Sequence, residues 1–384
     1  MTVFLHIGSP KTGTTAIQYF CGANRELLLK NGVFYPDSAQ FMQKLGYNPN
    51  RNALWLHLGF NTPEFQGYLE KLAGYCKEHD KVVLSDEALY LHYQQDREIF
   101  RQLKSYLDAQ GIDLKIIVYL RRQDEYLYSL WAQDVKESYE WDFDTWLSDG
   151  GERVFMDYYR YLERLSEDIG KENIVLRIYE RKRFPDGSII ADFLDIVGLE
   201  YTDKYVIPRQ SNPSLRSVFL ETKRRLNHYP EFRQIKEGAD KDPDQFKTAA
   251  AYRNILLDVQ ADDDGHWDNP LMLPGETRKQ ILGKYDEGNR KVAEEYLGES
   301  AGTPLFEEVL DINVPEIPAE SVDADCFHIM ALMVMKSYEN SLELRKQYDT
   351  LKDEYKQLKE QTRLKNLPSF VVHRLGEHLR GRKN

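Results

Sequence analysis

Four short apolar runs stand out along the first half of the chain: Val3 to Ile7, Lys81 to Leu84, Leu114 to Leu120, and Ile174 to Ile178. Each is rich in β-branched residues and lacks apolar–polar alternation, the pattern of parallel strands covered on both faces. Helical spacing fills the intervals, as in Thr14 to Leu29, Arg97 to Ala109 and Tyr126 to Glu137. Strand–helix alternation predicts an α/β fold, a three-layer parallel sheet with helices on both faces.

After about Pro208 the texture changes. Residues 210–300 read as helical and polar, a region suited to a lid or an acceptor site, interrupted by the acidic stretch DVQADDDGHWDNP. Its three consecutive aspartates lack EF-hand spacing, so the stretch reads as a solvated loop. The run GNRKVAEEYLG reads as a helix ending at Gly298, a suitable C′ residue. A Pro-, Glu- and Ser-rich linker follows over 313–325, and residues 326–384 form a helical extension to a main domain of 1–312. Within it Leu344, Tyr348, Leu351, Tyr355 and Leu358 alternate in spacings of four and three, the seam of a coiled coil. Two readings stand: a homo-oligomer through residues 340–360, or a helix packed back on its own domain. The final segment, RLKNLPSFVVHRLGEHLRGRKN, sets Val371, Leu375 and Leu379 on one helical face among basic residues. That pattern suits a peripheral membrane contact, the alternative being a solvated terminus.

Composition narrows the field. A formal net charge of −12 over 384 residues argues against general nucleic-acid binding. Cys21, Cys76 and Cys326 lie too far apart for a metal motif or a disulfide framework. The opening apolar run is too short for a signal peptide, and no run reaches the ~18 residues of a membrane span. The expected setting is cytoplasmic, with peripheral contact at the inner membrane face.

The chemistry is concentrated in HIGSPKTGTT, residues 6–15. Gly8 and Gly13 keep the spacing of the nucleotide-hydrolase loop G-x-x-x-x-G-K-[ST], but the lysine, Lys11, lies inside the loop instead of after its second glycine. At a strand-to-helix junction the first helical amides and the helix dipole cradle an anion. A lysine two residues before Gly13 aims its charge differently from an ATPase lysine. That geometry suits a single 5′-phosphate carrying a transferable group.

Here the sequence resembles a family. PKTGTT is similar to the 5′-phosphosulfate loop of sulfotransferases that use 3′-phosphoadenosine 5′-phosphosulfate (PAPS), and HIGSPKTGTTAIQ resembles bacterial members thought to modify glycans. The resemblance implies a P-loop NTPase-like fold and PAPS as cosubstrate, held by Lys11, Thr12, Gly13, Thr14 and Thr15. It also implies a 3′-phosphate clamp of an Arg at a strand end and a Ser eight residues on, matched by Arg121 and Ser129. The usual Asn-Pro after the Arg is replaced by Arg122-Gln123, which makes Arg122 a rival. Tyr179 before Glu180 is similar to an adenine-contacting Tyr of the animal branch. That branch's closing Arg-Lys-Gly motif is not present, and RQSNPSLRS, residues 209–217, occupies the comparable region. The resemblance spans roughly residues 1–310.

A general base is expected where KVVLSDEALY leaves its strand, since the carboxyl ends of parallel strands open into one crevice. The segment resembles the bacterial Ser-x-Glu, which assigns the base to Glu87. The competing reading is a helix start, with Ser85 or Asp86 as cap. His6, His57 and His92 are rival bases. Asn50, Arg51 and Trp55 are candidate sugar contacts or core. The resulting expectation is in-line sulfuryl transfer to a hydroxyl of a polysaccharide or glycolipid. Lys11 would meet the charge on the departing oxygen, with no metal. The rivals are a nucleotide kinase or ATPase and a non-catalytic coiled-coil scaffold.

Overall fold

A computed structural model describes residues 1–42, 48–151, 156–208, 214–233, 243–265, 267, 273–307 and 319–361. Five parallel strands form one sheet: β1 (Thr2–His6), β2 (Val33–Phe34), β3 (Lys81–Ser85), β4 (Asp113–Leu120) and β5 (Ile174–Ile178). Their spatial order is β2-β3-β1-β4-β5, with β1 at the centre, His6 opposite Ser85 on one side and Ile117 on the other. Helices flank both faces, so the expected α/β class, a parallel sheet between helical layers, is what is observed.

Fourteen α-helices accompany these strands among the described residues. The first nine are α1 (Thr14–Ala23), α2 (Arg25–Lys30), α3 (Leu54–Leu58), α4 (Phe65–Glu78), α5 (Ala88–Gln95), α6 (Glu98–Ala109), α7 (Gln123–Glu137), α8 (Phe143–Trp146) and α9 (Tyr158–Ile169). The remainder are α10 (Ile189–Ile196), α11 (Ser217–Leu226), α12 (Pro243–Asp262), α13 (Gly275–Leu297) and α14 (Ala319–Gln361).

The two-residue period of the strands sorts the core into two layers. Val3, Leu5, Val82, Leu84, Ile116, Val118 and Leu120 face the larger cluster, which takes in α3 to α9 and the helical region beyond residue 215. Val83, Ile117 and Tyr119 face the smaller one, closed by Ile17 and Phe20 of α1 and by Phe193 and Leu194 of α10. Burial on both faces explains why the strands read as unbroken apolar runs.

Four local outcomes differ from the sequence expectation: α14 already begins at Ala319, inside the linker expected over 313–325, and α12 runs on to Asp262, into the acidic stretch read as a loop. The helix expected over Thr14 to Leu29 divides at Asn24, a buried residue whose amide donates to the Phe20 and Val206 carbonyls and accepts from the Val206 amide. β2 is too short to leave a pattern and is held by its pairing with β3.

The helical C-terminal region is fastened to α7 by two buried contacts. Gln123 and Asn289 exchange amide hydrogen bonds of 2.8 and 3.0 Å, and Arg278 pairs with Asp124 at 2.8 Å. α13 ends as expected at Gly298, whose φ of 72° lies in the left-handed region. The start of α14 packs on α11 and α12 through Val322, Cys326, Ile329 and Met333, which recur at helical spacing on one buried face. Among the described residues no helix is long and apolar enough to cross a membrane. The basic tail from residue 363 and most of RQSNPSLRS lie outside the described residues.

Candidate active site

The loop after β1 is threaded between the ends of β3 and β4. The Asp86 amide donates to the His6 carbonyl at 3.0 Å on one side. On the other, Tyr119 donates to the Gly8 carbonyl at 2.6 Å and Ser9 donates back to the Tyr119 carbonyl at 3.0 Å. The Ser9 hydroxyl and the Thr12 hydroxyl tie the bend further, to the Tyr119 and Ser9 carbonyls.

The bend needs three left-handed residues, Gly8 at φ 94°, Lys11 at 64° and Gly13 at 78°. Glycine carries the first and last without steric cost, whereas Lys11 is a non-glycine residue in a sparsely populated region. A Cβ on Gly13 would meet Ile189 Cδ1 at 2.7 Å and Tyr179 Cε2 at 3.4 Å. Helix α1 starts directly after it. Its first backbone bond runs from Ile17 to Gly13, so the amides of Thr14, Thr15 and Ala16 have no acceptor within the helix. The Thr14 hydroxyl is buried with no hydrogen-bond partner, whereas Thr15 is exposed. A buried hydroxyl and free helical amides at one bend are donors awaiting an acceptor, which fits a phosphate group.

Lys11 donates to Gln133 Oε1 on α7 at 3.3 Å. Burial lowers its ammonium pKa from the ordinary lysine value and the nearby Arg121 lowers it further, while Glu137, Glu87 and Asp134 oppose them. The Lys11 carbonyl accepts from Arg121 Nη1 at 3.2 Å. The Arg121 guanidinium also lies 5.6 Å from the Tyr179 ring centre and 3.3 Å from Glu125. The geometry therefore gathers the loop, Arg121 and Tyr179 into one cluster, with Ser129 half-buried on α7 about two turns beyond Arg121. Arg122, the rival, is buried and engaged by Asp124 at 2.8 Å and Glu125 at 2.9 Å, and so belongs to the anchor of α13.

Glu87 stands across the loop, its Cβ 3.4 Å from where a Gly8 side chain would begin. It occupies the N-cap position of α5, but its side chain makes no cap bond. Asp86 takes that role, accepting the Ala88 amide at 3.0 Å. Glu87 Oε2 instead accepts from Gln18 at 2.9 Å, and Gln18 also reaches Ser85 at 3.3 Å and accepts from Asn48 at 3.0 Å.

His6 is wholly buried, bonded through Nδ1 to Ser85 Oγ at 3.0 Å and edged against Tyr119 and Phe193. Burial pushes its pKa down to about 3. His57 Nδ1 lies 3.1 Å from Asp86 Oδ2, and Arg51 holds Oδ1 at 2.5 Å. Burial opposes the charge on Asp86, yet His57, Arg51 and the Ala88 amide keep its pKa below the ordinary carboxylate value. Arg51 is thus committed to Asp86. Trp55 is fully buried against Phe41, and Asn50 accepts from Arg25 at 3.2 Å. Among the described residues no group of three or more His, Cys, Asp or Glu could hold a metal ion.

Sequence reasoning did not find Gln18, Gln133 or the Asp86–His57 pair. Gln18 was within reach of it. It lies four residues after Thr14, on the same face of a helix that begins at the loop. Gln133 and His57 depend on how α7 and α3 pack, which no local spacing encodes.

No family model matches the chain. A protein of Archaeoglobus fulgidus, described as uncharacterized, is 29% identical over 212 residues, 54% of each chain. The chain therefore matches about half the length of that relative. Two solved structures overlap the chain at low TM-scores. A sulfotransferase from Alicyclobacillus acidocaldarius is 16% identical with a TM-score of 0.34, over 69% of this chain and 98% of that one. The sulfotransferase domain of the Synechococcus PCC 7002 olefin synthase is 12% identical with a TM-score of 0.30, over 66% and 94%. Overlaps this loose do not assign a family.

Proposed function

We propose that the chain is a PAPS-dependent sulfotransferase acting on a carbohydrate hydroxyl. The observation that carries this reading is the bend itself. A left-handed Lys11, an unpartnered buried Thr14 hydroxyl and the free amides of α1 belong to one bend, with the Glu87 Cβ close to Gly8, and this combination supports a phosphate site.

PAPS would supply a sulfuryl group on a phosphate leaving group, so that an acceptor O–S bond forms as the bridging S–O bond breaks. The chain's part is positioning and charge stabilisation, as in phosphoryl transfer. Lys11 and the loop amides offset negative charge at the bridging oxygen. Arg121 and Ser129 would hold the 3′-phosphate, together contributing ~3–5 kcal/mol, since a hydrogen bond to a charged group contributes ~1.5–3 kcal/mol. Tyr179, packed between Gly13 and Arg121, offers a face to adenine. Glu87 takes the proton of the acceptor hydroxyl, its carboxylate aimed by Gln18.

The test is incubation with PAPS and a panel of polysaccharide and glycolipid acceptors, with and without chelator, read by mass spectrometry. The expected products are a sulfate ester and 3′-phosphoadenosine 5′-phosphate in equal amounts, unchanged by chelator. Phosphorylated products from Mg-ATP, with no sulfate ester from PAPS, would overturn the proposal.

A further inference from the structure

Just past the end of α7 the fold leaves a group of aromatic rings at the surface. Trp141 is 50% exposed, Tyr229 62% and Tyr252 36%. Single exposed aromatics are ordinary, but these belong to one patch. The Trp141 ring meets the His228 ring edge-on at 6.0 Å, Tyr229 follows His228, and the Tyr229 carbonyl accepts the Phe232 amide at 3.1 Å. The Phe232 ring in turn lies 4.6 Å from the Tyr252 ring on α12.

The patch is firmly mounted. Asn227 is wholly buried, and its side chain donates to the Val135 and Tyr139 carbonyls at 2.7 and 2.8 Å, tying the end of α11 to the end of α7. The Trp141 carbonyl accepts from Trp131 Nε1 at 3.2 Å, and the Glu140 carbonyl accepts from Arg224 at 2.8 Å. Polar groups sit among the rings: Glu140 pairs with Arg233 and lies 3.5 Å from His228 Nδ1. Charged residues are depleted at the cores of protein–protein interfaces, so this mixture fits a protein partner poorly. It suits a sugar chain, whose C–H faces stack on aromatic rings while its hydroxyls meet the carboxylate, guanidinium and imidazole beside them.

The patch is also continuous with the phosphate loop. α7 holds Lys11 through Gln133, eight residues before Trp141, a separation of no more than ~20 Å for about one helical turn followed by extended chain. Lys136 lies on the same helix. Burial lowers its pKa to about 8, and the nearby Arg253 and Lys11 lower it further, with Glu137 opposing. Arg253 follows Tyr252 on α12, so Lys136 is a neighbour of both the aromatic patch and the loop.

We propose that Trp141, Tyr229 and Tyr252 form a distal subsite for a carbohydrate chain, holding sugar residues away from the one that reacts. The subsite rests on the reading of the chain as a sulfotransferase of carbohydrates and specifies its acceptor as an oligomer, bound at both ends of α7.

The full-length protein is titrated by calorimetry with dextran, alginate and hyaluronan, each as a disaccharide and as a long oligomer, and separately with 3′-phosphoadenosine 5′-phosphate. At least one long oligomer is expected to bind, and its disaccharide to bind much more weakly. W141A/Y229A should weaken the oligomer roughly tenfold or more, with the melting temperature and the affinity for the bisphosphate unchanged. W141F/Y229F, which keeps a ring at both positions, should retain most of the oligomer affinity. Failure of every oligomer to bind, equal binding by W141A/Y229A, or a wild-type dimer in sedimentation that W141A/Y229A dissociates overturns the proposal. The bisphosphate titration keeps the two readings apart: nucleotide binding without oligomer binding refutes the subsite, whereas oligomer binding without nucleotide binding refutes the sulfotransferase.

Discussion

A hydroxyl buried without a partner is costly unless something else completes it, and that makes Thr14 the most informative single residue at the site. Thr14→Val removes an unmet donor, so the free protein is expected to melt at the same temperature or higher. Binding of 3′-phosphoadenosine 5′-phosphate should weaken by ~1.5–3 kcal/mol, roughly 10–100-fold, by calorimetry. Unchanged affinity would separate Thr14 from the ligand. Glu87→Gln should leave that affinity within a few-fold and abolish transfer, since only the proton acceptor is lost. Acid sensitivity has a residue-scale origin too. His6 titrates at about 3 when folded, against 6.5 ordinarily, so below pH 6.5 the unfolded chain binds a proton that the folded chain refuses. Stability is full above pH 6.5 and falls as pH drops towards 3, by up to ~1.4 kcal/mol per unit. His6→Gln should flatten that slope in denaturant titrations, and an unaltered slope would refute the assignment. At this scale the loop residues were legible because glycine spacing reports backbone geometry directly. Asp86 was legible as a cap of α5, but its pairing with His57 and the role of Gln18 were not, because these are contacts between elements far apart in sequence.

Among the elements, the junction of β1 with α1 does most to shape the site. Gly13 closes that junction at a φ of 78° with Ile189 2.7 Å from any added Cβ. Gly13→Ala is expected to destabilise the fold by more than ~1 kcal/mol, the usual gain from such a change being reversed where φ is positive. It should also weaken nucleotide binding, because the start of α1 must shift. Denaturant unfolding and calorimetry check both. Four of the five strands could be read from their apolar runs to within a residue or so, for burial on both faces removes alternation. β2 could not, being two residues held by a neighbour. The break between α1 and α2 was missed because Asn24 acts through Val206, a contact far away in sequence.

The whole molecule separates into a packed body and a projecting helix. Truncation after Ser337 should leave the melting temperature of the body and its nucleotide affinity unchanged, because the buried face of α14 ends at Met333 and the residues from Tyr338 to Thr350 are exposed. A large loss of thermal stability would show that the distal helix supports the body. The seam itself was legible as spacing, but its exposure depends on where α11 and α12 end, which only the tertiary structure gives.

The central claim is that one strand-to-helix bend holds the 5′-phosphate of a 3′-phosphorylated adenine nucleotide with Lys11 beside it. Thermal melting with 3′-phosphoadenosine 5′-phosphate, adenosine 5′-phosphate and Mg-ATP, each with and without chelator, tests it most directly. A ligand at 100 times its dissociation constant adds ~2.7 kcal/mol. The account predicts a shift of that size from the bisphosphate alone, indifferent to chelator and much reduced in Lys11→Ala. A shift from Mg-ATP that chelator abolishes, with none from the bisphosphate, would contradict it.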